Sequence, residues 1–259
     1  MTFLFSNWLG CHRIDLEVCA STNDEAARLA RAGAKHGTVV IAERQDAGRG
    51  REGRPWASPS GGLYLSAVLR PQLALADVPP MTLAIGIGVC DAVRALGAPA
   101  VLKWPNDVLV DGRKLAGVLV EAQSQGAKLE TVIVGIGVNL DITPDDVAAT
   151  AISLAEASGT AVIDREAFII ELLANVERWV DRYSAVGLES IIPAWQERMA
   201  TGLAARATIH GAPLIGEVAG LDNDGALLLR DDAGHLHRVR SGDVEVIRST
   251  PTAVLSPNA

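Results

Sequence analysis

Apolar residues recur at two different spacings in this chain, and the spacing changes near residue 200. Before that point, apolar positions three or four residues apart alternate with short β-branched runs, which predicts helices among strands. Beyond Thr201, short alternating runs are separated by turn sequences such as Asn223-Asp224-Gly225, which predicts a meander of short strands. We therefore expect a large domain over residues 1–203, a small barrel-like domain over 204–250 and a tail over 251–259.

Helical spacing occurs in four segments of the first part. The earliest follows Ser21-Thr22-Asn23, whose hydroxyl and amide groups are typical of a helix N-cap, and it stops near Gly33. In the last, Phe168, Leu172, Val176 and Trp179 form a stripe that we expect to be buried. The predicted helices cover residues 26–33, 82–96, 148–157 and 165–183.

Strand patterns fill the intervals, and Asp111-Gly112 is typical of a hairpin turn. Since hairpins rather than regular crossovers join the strands, the pattern favours the α+β class, a mixed β-sheet with helices packed on one face. The predicted strands of the large domain are 38–42, 62–69, 101–103, 108–110, 115–121 and 131–140. Those of the small domain are 205–210, 214–221, 225–231, 235–239 and 244–248.

Composition narrows the class of protein. The 259 residues are 49% hydrophobic and 21% charged, which is enough apolar material for a substantial core. The net charge of −8 argues against an extended nucleic-acid-binding face. There is no export signal and no apolar run of about 18 residues, so we expect no membrane association. The three cysteines lack CxxC spacing, which argues against disulfides and a zinc site and fits the cytoplasm.

Residues 45–56 interleave glycines with arginines. Between Arg44 and Arg54, four arginines stand against Asp46 and Glu52, so the local charge is +2 on an acidic chain. Glycine permits close backbone approach, and a guanidinium offers forked donors to carboxylate or phosphate oxygens. The segment therefore predicts an anion-binding loop, although a solvated Gly/Arg loop has the same composition.

Two further patterns are weaker. Gly86-Ile87-Gly88 resembles part of a dinucleotide fingerprint but lacks the strand-turn-helix context, so we expect these glycines to allow close packing. His235 and His237 share a strand face without a third metal ligand nearby in the sequence, which favours an exposed polar surface.

Five segments in order resemble the biotin protein ligase family. They are Ser21-Thr22-Asn23, the loop of residues 45–56, Lys103-Trp104-Pro105-Asn106-Asp107, Lys114-Leu115-Ala116-Gly117 and Gly135-Ile136-Gly137-Val138-Asn139. The resemblance covers about residues 14 to 250 and implies a class II synthetase-like catalytic domain followed by a small SH3-like barrel. With 20 residues ahead of Ser21, the chain is expected to be the ligase-only form without a DNA-binding domain.

The resemblance implies a two-step reaction. Biotin and ATP form biotinyl-5′-AMP, and the biotinyl group passes to a lysine of a biotin carboxyl carrier domain such as that of acetyl-CoA carboxylase. Because a carboxylate must meet a polyanion, cations are needed between them, and Mg²⁺ is the expected cofactor. The implied catalytic residues are Lys114, Arg49, Arg51 and Asp107, with Asp107 as the base for the acceptor lysine.

The resemblance also implies two sets of binding residues. For biotin they are Ser21, Thr22, Asn23, Gln45, Arg49, Gly50, Arg51 and Lys114. For ATP they are Arg49, Arg51, Arg54, Trp56, Lys103, Asn106 and Asn139. Structural roles stay open for several of them: helix capping for Ser21 and Thr22, a turn for Asn106, core packing for Trp56, and sheet packing around Asn139.

Three other functions compete with the ligase. A lipoate-type ligase or acyltransferase would share the fold, an RNA-binding module would use the Arg/Gly loop with Trp56, and a biotin sensor would need a DNA-binding domain. Members of the family occur as monomers and as dimers, so a homodimer is one possible assembly.

Overall fold

The computed structural model describes residues 6–143, 149–200, 204–209, 212–240, 242 and 244–247. Its centre is a mixed seven-stranded sheet with the order β1-β2-β3-β7-β6-β5-β4. Only the β1–β2 pair is parallel among the strand pairs of this sheet. The strands are β1 (His12–Cys19), β2 (Thr38–Gln45), β3 (Gly62–Leu69), β4 (Val101–Lys103), β5 (Asp107–Val110), β6 (Arg113–Gln125) and β7 (Lys128–Asn139).

Helices cover both faces of this sheet. They are α1 (Thr22–Arg31), α2 (Val78–Ala95), α3 (Leu154–Ser158), α4 (Arg165–Val186) and α5 (Leu188–Gln196). Val39 and Ile41 of β2 belong to the main core with α2 and α4, whereas Val40 between them packs with Ala26 and Ala30 of α1. Since side chains alternate across a strand, α1 lies on the opposite face from α2 and α4.

The sequence patterns located most elements, including β3 at its observed limits. The stripe of Phe168, Leu172, Val176 and Trp179 is buried, as expected. The patterns missed β1 and α5, and the helix expected over residues 148–157 is the shorter α3, with residues 144–148 outside the described part.

Helix α2 is a strongly apolar segment of the fold. By length and composition alone, Leu75–Ala95 is apolar enough to cross a membrane, the single such helix among the described residues. About two thirds of that window, 67%, is buried inside the protein, against the sheet and α4. Packing in the core therefore accounts for its apolar character.

Gly88 sets the distance between α2 and α4. A Cβ at this position would lie 2.7 Å from the Cα atom of Val176. Gly88→Ala should therefore destabilise the protein by about 2 kcal/mol. Overpacking against the backbone costs up to about 3 kcal/mol, and the higher helix propensity of alanine offsets about 1 kcal/mol of that cost. Denaturant unfolding would measure this, and a variant as stable as the wild type would contradict it.

The small domain is a five-stranded antiparallel sheet with the order β11-β10-β9-β8-β12. A buried hydrogen bond of 3.0 Å, donated by Trp104 Nε1 to the carbonyl of Gly225, connects it to the large sheet. Its strands are β8 (Ala204–Ile209), β9 (Ala212–Leu221), β10 (Leu227–Arg230), β11 (Leu236–Val239) and β12 (Val244–Ile247).

One buried carboxylate holds the start of the described chain. Glu177 of α4 accepts hydrogen bonds from the backbone N–H groups of Asn7, Trp8 and Leu9 at 2.6 to 2.7 Å. Burial raises the pKa of Glu177, but these backbone donors outweigh it, and the net pKa is lowered. The ionised form is therefore the one that the fold stabilises.

Glu177→Gln should destabilise the fold by about 2 kcal/mol, because an amide N–H₂ would face backbone donors that now bind a charged oxygen. The stabilisation by Glu177 is complete above the ordinary glutamate pKa of 4.5 and is lost as pH falls through the lower folded value. Unfolding curves at pH 7 and pH 3 would test this. The two proteins should differ clearly at pH 7 and less at pH 3, and a gap that widens in acid would be inconsistent with it.

Candidate active site

A cavity of about 530 Å³ opens between the start of α1, the loop after β2 and the centres of β6 and β7. This volume is in the range of small-molecule sites. All of the predicted site residues line it except Asn139. Val244 of the small domain also contributes to the lining, so both sheets meet at this cavity.

Gln45 organises the side of the cavity near α1. Its Oε1 accepts hydrogen bonds from the backbone N–H of Thr22 at 2.7 Å and from the Thr22 hydroxyl at 3.0 Å. Its Nε2 donates to the hydroxyl of Ser58 at 2.9 Å. Ser21 occupies the N-cap position without a capping bond from its side chain. Gln45 therefore satisfies the free donor at the first position of the helix.

Asn23 is held by a second group of polar contacts. Its Nδ2 donates to Glu121 Oε2 at 2.6 Å, and its Oδ1 lies 2.6 Å from the hydroxyl of Ser66. Gly135 lies directly beneath, since a Cβ there would be 2.3 Å from Asn23 Oδ1. The glycine is therefore required for the polar side chain to lie on the sheet.

Lys114 is the central cation of the cavity. Its Nζ lies 2.6 Å from Asp107 Oδ1, and Lys103 Nζ lies 3.3 Å from the other carboxylate oxygen. The Lys114 ammonium also lies 5.0 Å from the centre of the Trp56 ring, within cation–π range. A shift in the β5–β6 register occurs beside it, and such β-bulges redirect side chains.

Asp107 is half-enclosed by these two ammonium groups, and 13% of its side chain is exposed. A role as base for the acceptor lysine would require at least one contact to open. In the ligand-free chain, Asp107 instead orients Lys114.

The Gly/Arg loop is a closed hairpin. Its stem is formed by hydrogen bonds from Trp56 N to the Gly48 carbonyl, 2.9 Å, and from Gly50 N to the Arg54 carbonyl, 2.7 Å. Arg51–Gly53 form an exposed tip with one turn of 3₁₀-helix. Arg51 lines the cavity and forms no ion pair with any residue that the structure describes.

Arg49 differs from Arg51 because it is paired. Its two Nη atoms donate to both oxygens of Asp24 at 2.6 and 2.7 Å. This pairing lowers the pKa of Asp24 and raises that of Arg49, with the mutual hydrogen bond as the main cause. Both groups therefore remain charged at neutral pH.

Trp56 lies against two glycines of the sheet. A Cβ at Gly137 would be 2.6 Å from Trp56 Cε2, and one at Gly117 would be 3.1 Å from Cζ3. The Trp56 Nε1 is buried with no hydrogen-bond partner among the described residues. The glycine strands thus provide a flat surface on which the ring rests.

Three residues of the motif segments have structural contacts. Asn106 Nδ2 donates to the carbonyl of Val118 at 2.8 Å. Trp104 is buried at the junction with the small domain. Asn139 is also buried and donates to the carbonyls of Lys114 and Ile152, at 3.4 and 3.3 Å. The structure therefore places Asn139 behind Lys114, outside the cavity, which differs from the expected contact with the nucleotide.

Sequence reasoning did not identify several residues that shape the site. Asp24, Ser58 and Glu121 hold the predicted residues in place, but serines and acidic residues in such positions carry no distinguishing pattern. The backbone of Thr150 and Ile152 brackets Lys114 on both sides, with bonds of 2.8 and 2.9 Å. The described residues contain no group of three or more His, Cys, Asp or Glu side chains that could hold a metal ion.

Residues 16–139 match the biotin/lipoate A/B protein ligase family, and residues 206–246 match the biotin protein ligase C-terminal domain. The biotin–acetyl-CoA-carboxylase ligase of Paracoccus denitrificans is 38% identical over 231 residues, which cover 83% of this chain and 92% of that protein. The bifunctional ligase/repressor BirA of Bacillus subtilis is 35% identical over 245 residues, covering 92% and 75%. Among solved structures, the Aquifex aeolicus biotin protein ligase in complex with biotin and ATP is similar, with a TM-score of 0.79 and 28% identity, covering 92% of this chain and 100% of that one.

Proposed function

Because this chain belongs to the biotin protein ligase family, we propose that it joins biotin to ATP to form biotinyl-5′-AMP and then transfers biotin to a carrier lysine. One observation supports this most directly: Lys114, Arg49 and Arg51, from two separate segments, line the same cavity. Two anions that repel each other can meet only where cations offset the repulsion, and this cavity provides them.

In the first step, a biotin carboxylate oxygen forms a bond to the α-phosphorus of ATP, and the bond from that phosphorus to the bridging oxygen breaks to release pyrophosphate. Lys114 would stabilise the charge on the oxygens of the α-phosphate, and Arg51 would bind the phosphates from the loop. Thr22, Asn23 and Gln45 are held by the contacts described above and would bind the polar ring of biotin.

In the second step, the neutral amine of the acceptor lysine attacks the carbonyl carbon of the mixed anhydride. AMP leaves with the bonding electrons, and the new amide loses a proton to a base. We retain Asp107 as the candidate base, on condition that its contact with Lys114 opens when the adenylate has formed. Closure of the Gly/Arg loop would exclude water from the anhydride until the carrier arrives.

The family implies Mg²⁺, and the cavity fits an ion that enters with the nucleotide. Mg²⁺ uses one or two protein oxygens together with substrate phosphates. The amide oxygen of Asn106 accepts no hydrogen bond from the described part of the chain, whereas Asp24 and Asp107 are already paired with cations. Asn106 would therefore hold the ion, and the bound ion would neutralise phosphate charge.

The proposed function is tested by incubating the purified protein with biotin, α-phosphate-labelled ATP, Mg²⁺ and a biotin carrier domain. Labelled biotinyl-adenylate and biotinylated carrier are the expected products, and a carrier whose acceptor lysine is replaced by arginine is the matched control. Lipoate in place of biotin tests the alternative, and modification of the carrier with lipoate alone would reverse the assignment. If neither acid reacts, the proposal is wrong.

The cellular setting is part of the proposal. The cysteines Cys11, Cys19 and Cys90 are free, which supports action in the reducing cytoplasm. The net charge of −8 supports a protein that acts on small molecules and a carrier domain rather than on DNA. The homodimer stays a prediction, and analytical ultracentrifugation with and without biotin and ATP would test it.

A further inference from the structure

Asp24 lies next to the candidate biotin-binding residues, and the sequence motif gives it no role of its own. It lies in the first turn of α1, directly after Thr22 and Asn23. Both of its carboxylate oxygens bind Arg49, one on each Nη atom. Such a two-point contact fixes the plane of the guanidinium as well as its distance. Arg49 thus has one defined orientation in the ligand-free chain.

Arg49 lies at the base of the Gly/Arg loop, so its contact with Asp24 affects the position of the loop. The loop begins with backbone bonds to the end of β1, from Asp46 N to Cys19 O at 3.0 Å and from Ala47 N to Ala20 O at 2.8 Å. Its tip, Arg51–Gly53, contains no buried residue. Arg49 lies between the fixed start and this exposed tip, so the ion pair adds a side-chain anchor to the backbone hydrogen bonds at the base of the loop.

The pair also leaves Arg49 able to bind a ligand. The contact with Asp24 uses only the two Nη atoms, and the Nε–H donates to none of the described residues. A guanidinium has five N–H donors, so three remain beyond this contact, and Arg49 itself lines the cavity. Asp24 and an anionic ligand can therefore contact Arg49 at the same time.

We infer that Asp24 is a positioning residue for adenylate formation, which holds Arg49 and the base of the Gly/Arg loop in the ligand-binding arrangement before substrate arrives. This inference rests on the proposed function. Its consequence is preorganisation: without Asp24, substrate binding must order the arginine and the loop, and the apparent affinity falls. Once the substrates are bound, Arg49 occupies the same place in either protein, so the chemical step is not slowed.

Two other roles for Asp24 predict different results. An acidic residue in the first turn also favours the helix dipole, but Glu25 in the same turn does so equally and pairs with Arg28 instead of the loop. If ligand had to displace Asp24 from Arg49, removal of the carboxylate would strengthen binding rather than weaken it. The direction of the change in KM and the comparison with a Glu25 variant therefore distinguish the positioning role from the helix-dipole role and from competition with the ligand.

The test compares Asp24→Asn with the wild type, with Asp24→Glu as the conservative variant and Glu25→Gln as the matched loss of charge. For adenylate formation, Asp24→Asn should raise KM for ATP and biotin roughly 5- to 10-fold and leave kcat within about twofold of the wild-type value. This rise in KM is the usual cost when substrate binding has to order one additional side chain. Asp24→Glu should recover part of the loss, and Glu25→Gln should match the wild type. An unchanged or lower KM for Asp24→Asn overturns the inference.

A second measurement does not depend on activity. Hydrogen exchange of the ligand-free proteins should show faster exchange at residues 49–54 in Asp24→Asn and no change there in Glu25→Gln. Equal exchange in all proteins overturns the inference. If the wild type forms no adenylate, the proposed function is wrong and the link to adenylate formation is wrong with it, while the exchange data still decide whether Asp24 holds the loop.

Discussion

Replacing Lys114 by alanine should lower the rate of biotinyl-adenylate formation by roughly 10²- to 10³-fold, the usual cost of removing one preorganised charge-stabilising donor. Lys114 is held 2.6 Å from Asp107 and over the Trp56 ring, so its ammonium is oriented before the substrates bind. No reorganisation is then required when negative charge develops. Single-turnover release of pyrophosphate from ATP, with saturating biotin, measures the effect directly.

The controls distinguish this role from a general effect of positive charge. Lys128→Ala removes an exposed lysine at the far end of the same hairpin and should leave the rate unchanged. Lys114→Arg keeps the charge but replaces a compact ammonium by a planar fork, and we expect it to restore little activity. If Lys114→Ala formed adenylate within threefold of the wild-type rate, Lys114 would not be the central cation of the reaction.

Gly137→Ala should reduce kcat/KM for biotin by roughly 10²-fold, although it adds a single methyl group. The new Cβ would be 2.6 Å from Trp56 Cε2 and 2.7 Å from Nε1. The backbone of Trp56 is fixed by hydrogen bonds with Gly48 and with the Ser58 hydroxyl, so the ring itself has to move through its side-chain torsion angles. Trp56 must therefore lift from the sheet, and the Lys114 ammonium that lies over it loses its position.

A double-mutant cycle isolates this mechanism. In a Trp56→Leu background the aromatic ring is absent, so adding Gly137→Ala should cost little further activity. Circular dichroism of each variant would establish that the sheet is intact. Strictly additive losses would show instead that the methyl group obstructs the ligand itself, independently of the ring.

Local sequence patterns were sufficient to locate the helices and strands whose apolar residues recur at regular spacing. β3 could be located because its apolar run begins at a glycine and both of its faces are buried. β1 has no clear apolar alternation because it is an edge strand of exposed and half-exposed residues, and the helical pattern of α5 is interrupted by Pro193. The position of α1 opposite α2 depends on how the chain crosses the sheet, which periodicity does not encode.

The same distinction applies to the candidate site. Motif residues such as Lys114 and Arg51 could be named in advance, because their order along the chain resembles that of a known family. Neighbours such as Ser58 and Glu121 could not be named, since they acquire their roles only through tertiary contacts with Gln45 and Asn23. Asn139 shares the face of Gly135 and Gly137, but the segment around Ile152 folds back over it. That coverage is a tertiary event without a local sequence pattern.

Val244 gives the small sheet a share in the cavity wall, and the bond between Trp104 and Gly225 fixes that wall in place. The two parts of the chain therefore cannot diverge independently. A substitution in the small sheet alters the shape of a compartment whose other surfaces are encoded more than a hundred residues earlier. If this sheet were exchanged for that of a relative, its surface would no longer fit the rest of the cavity wall.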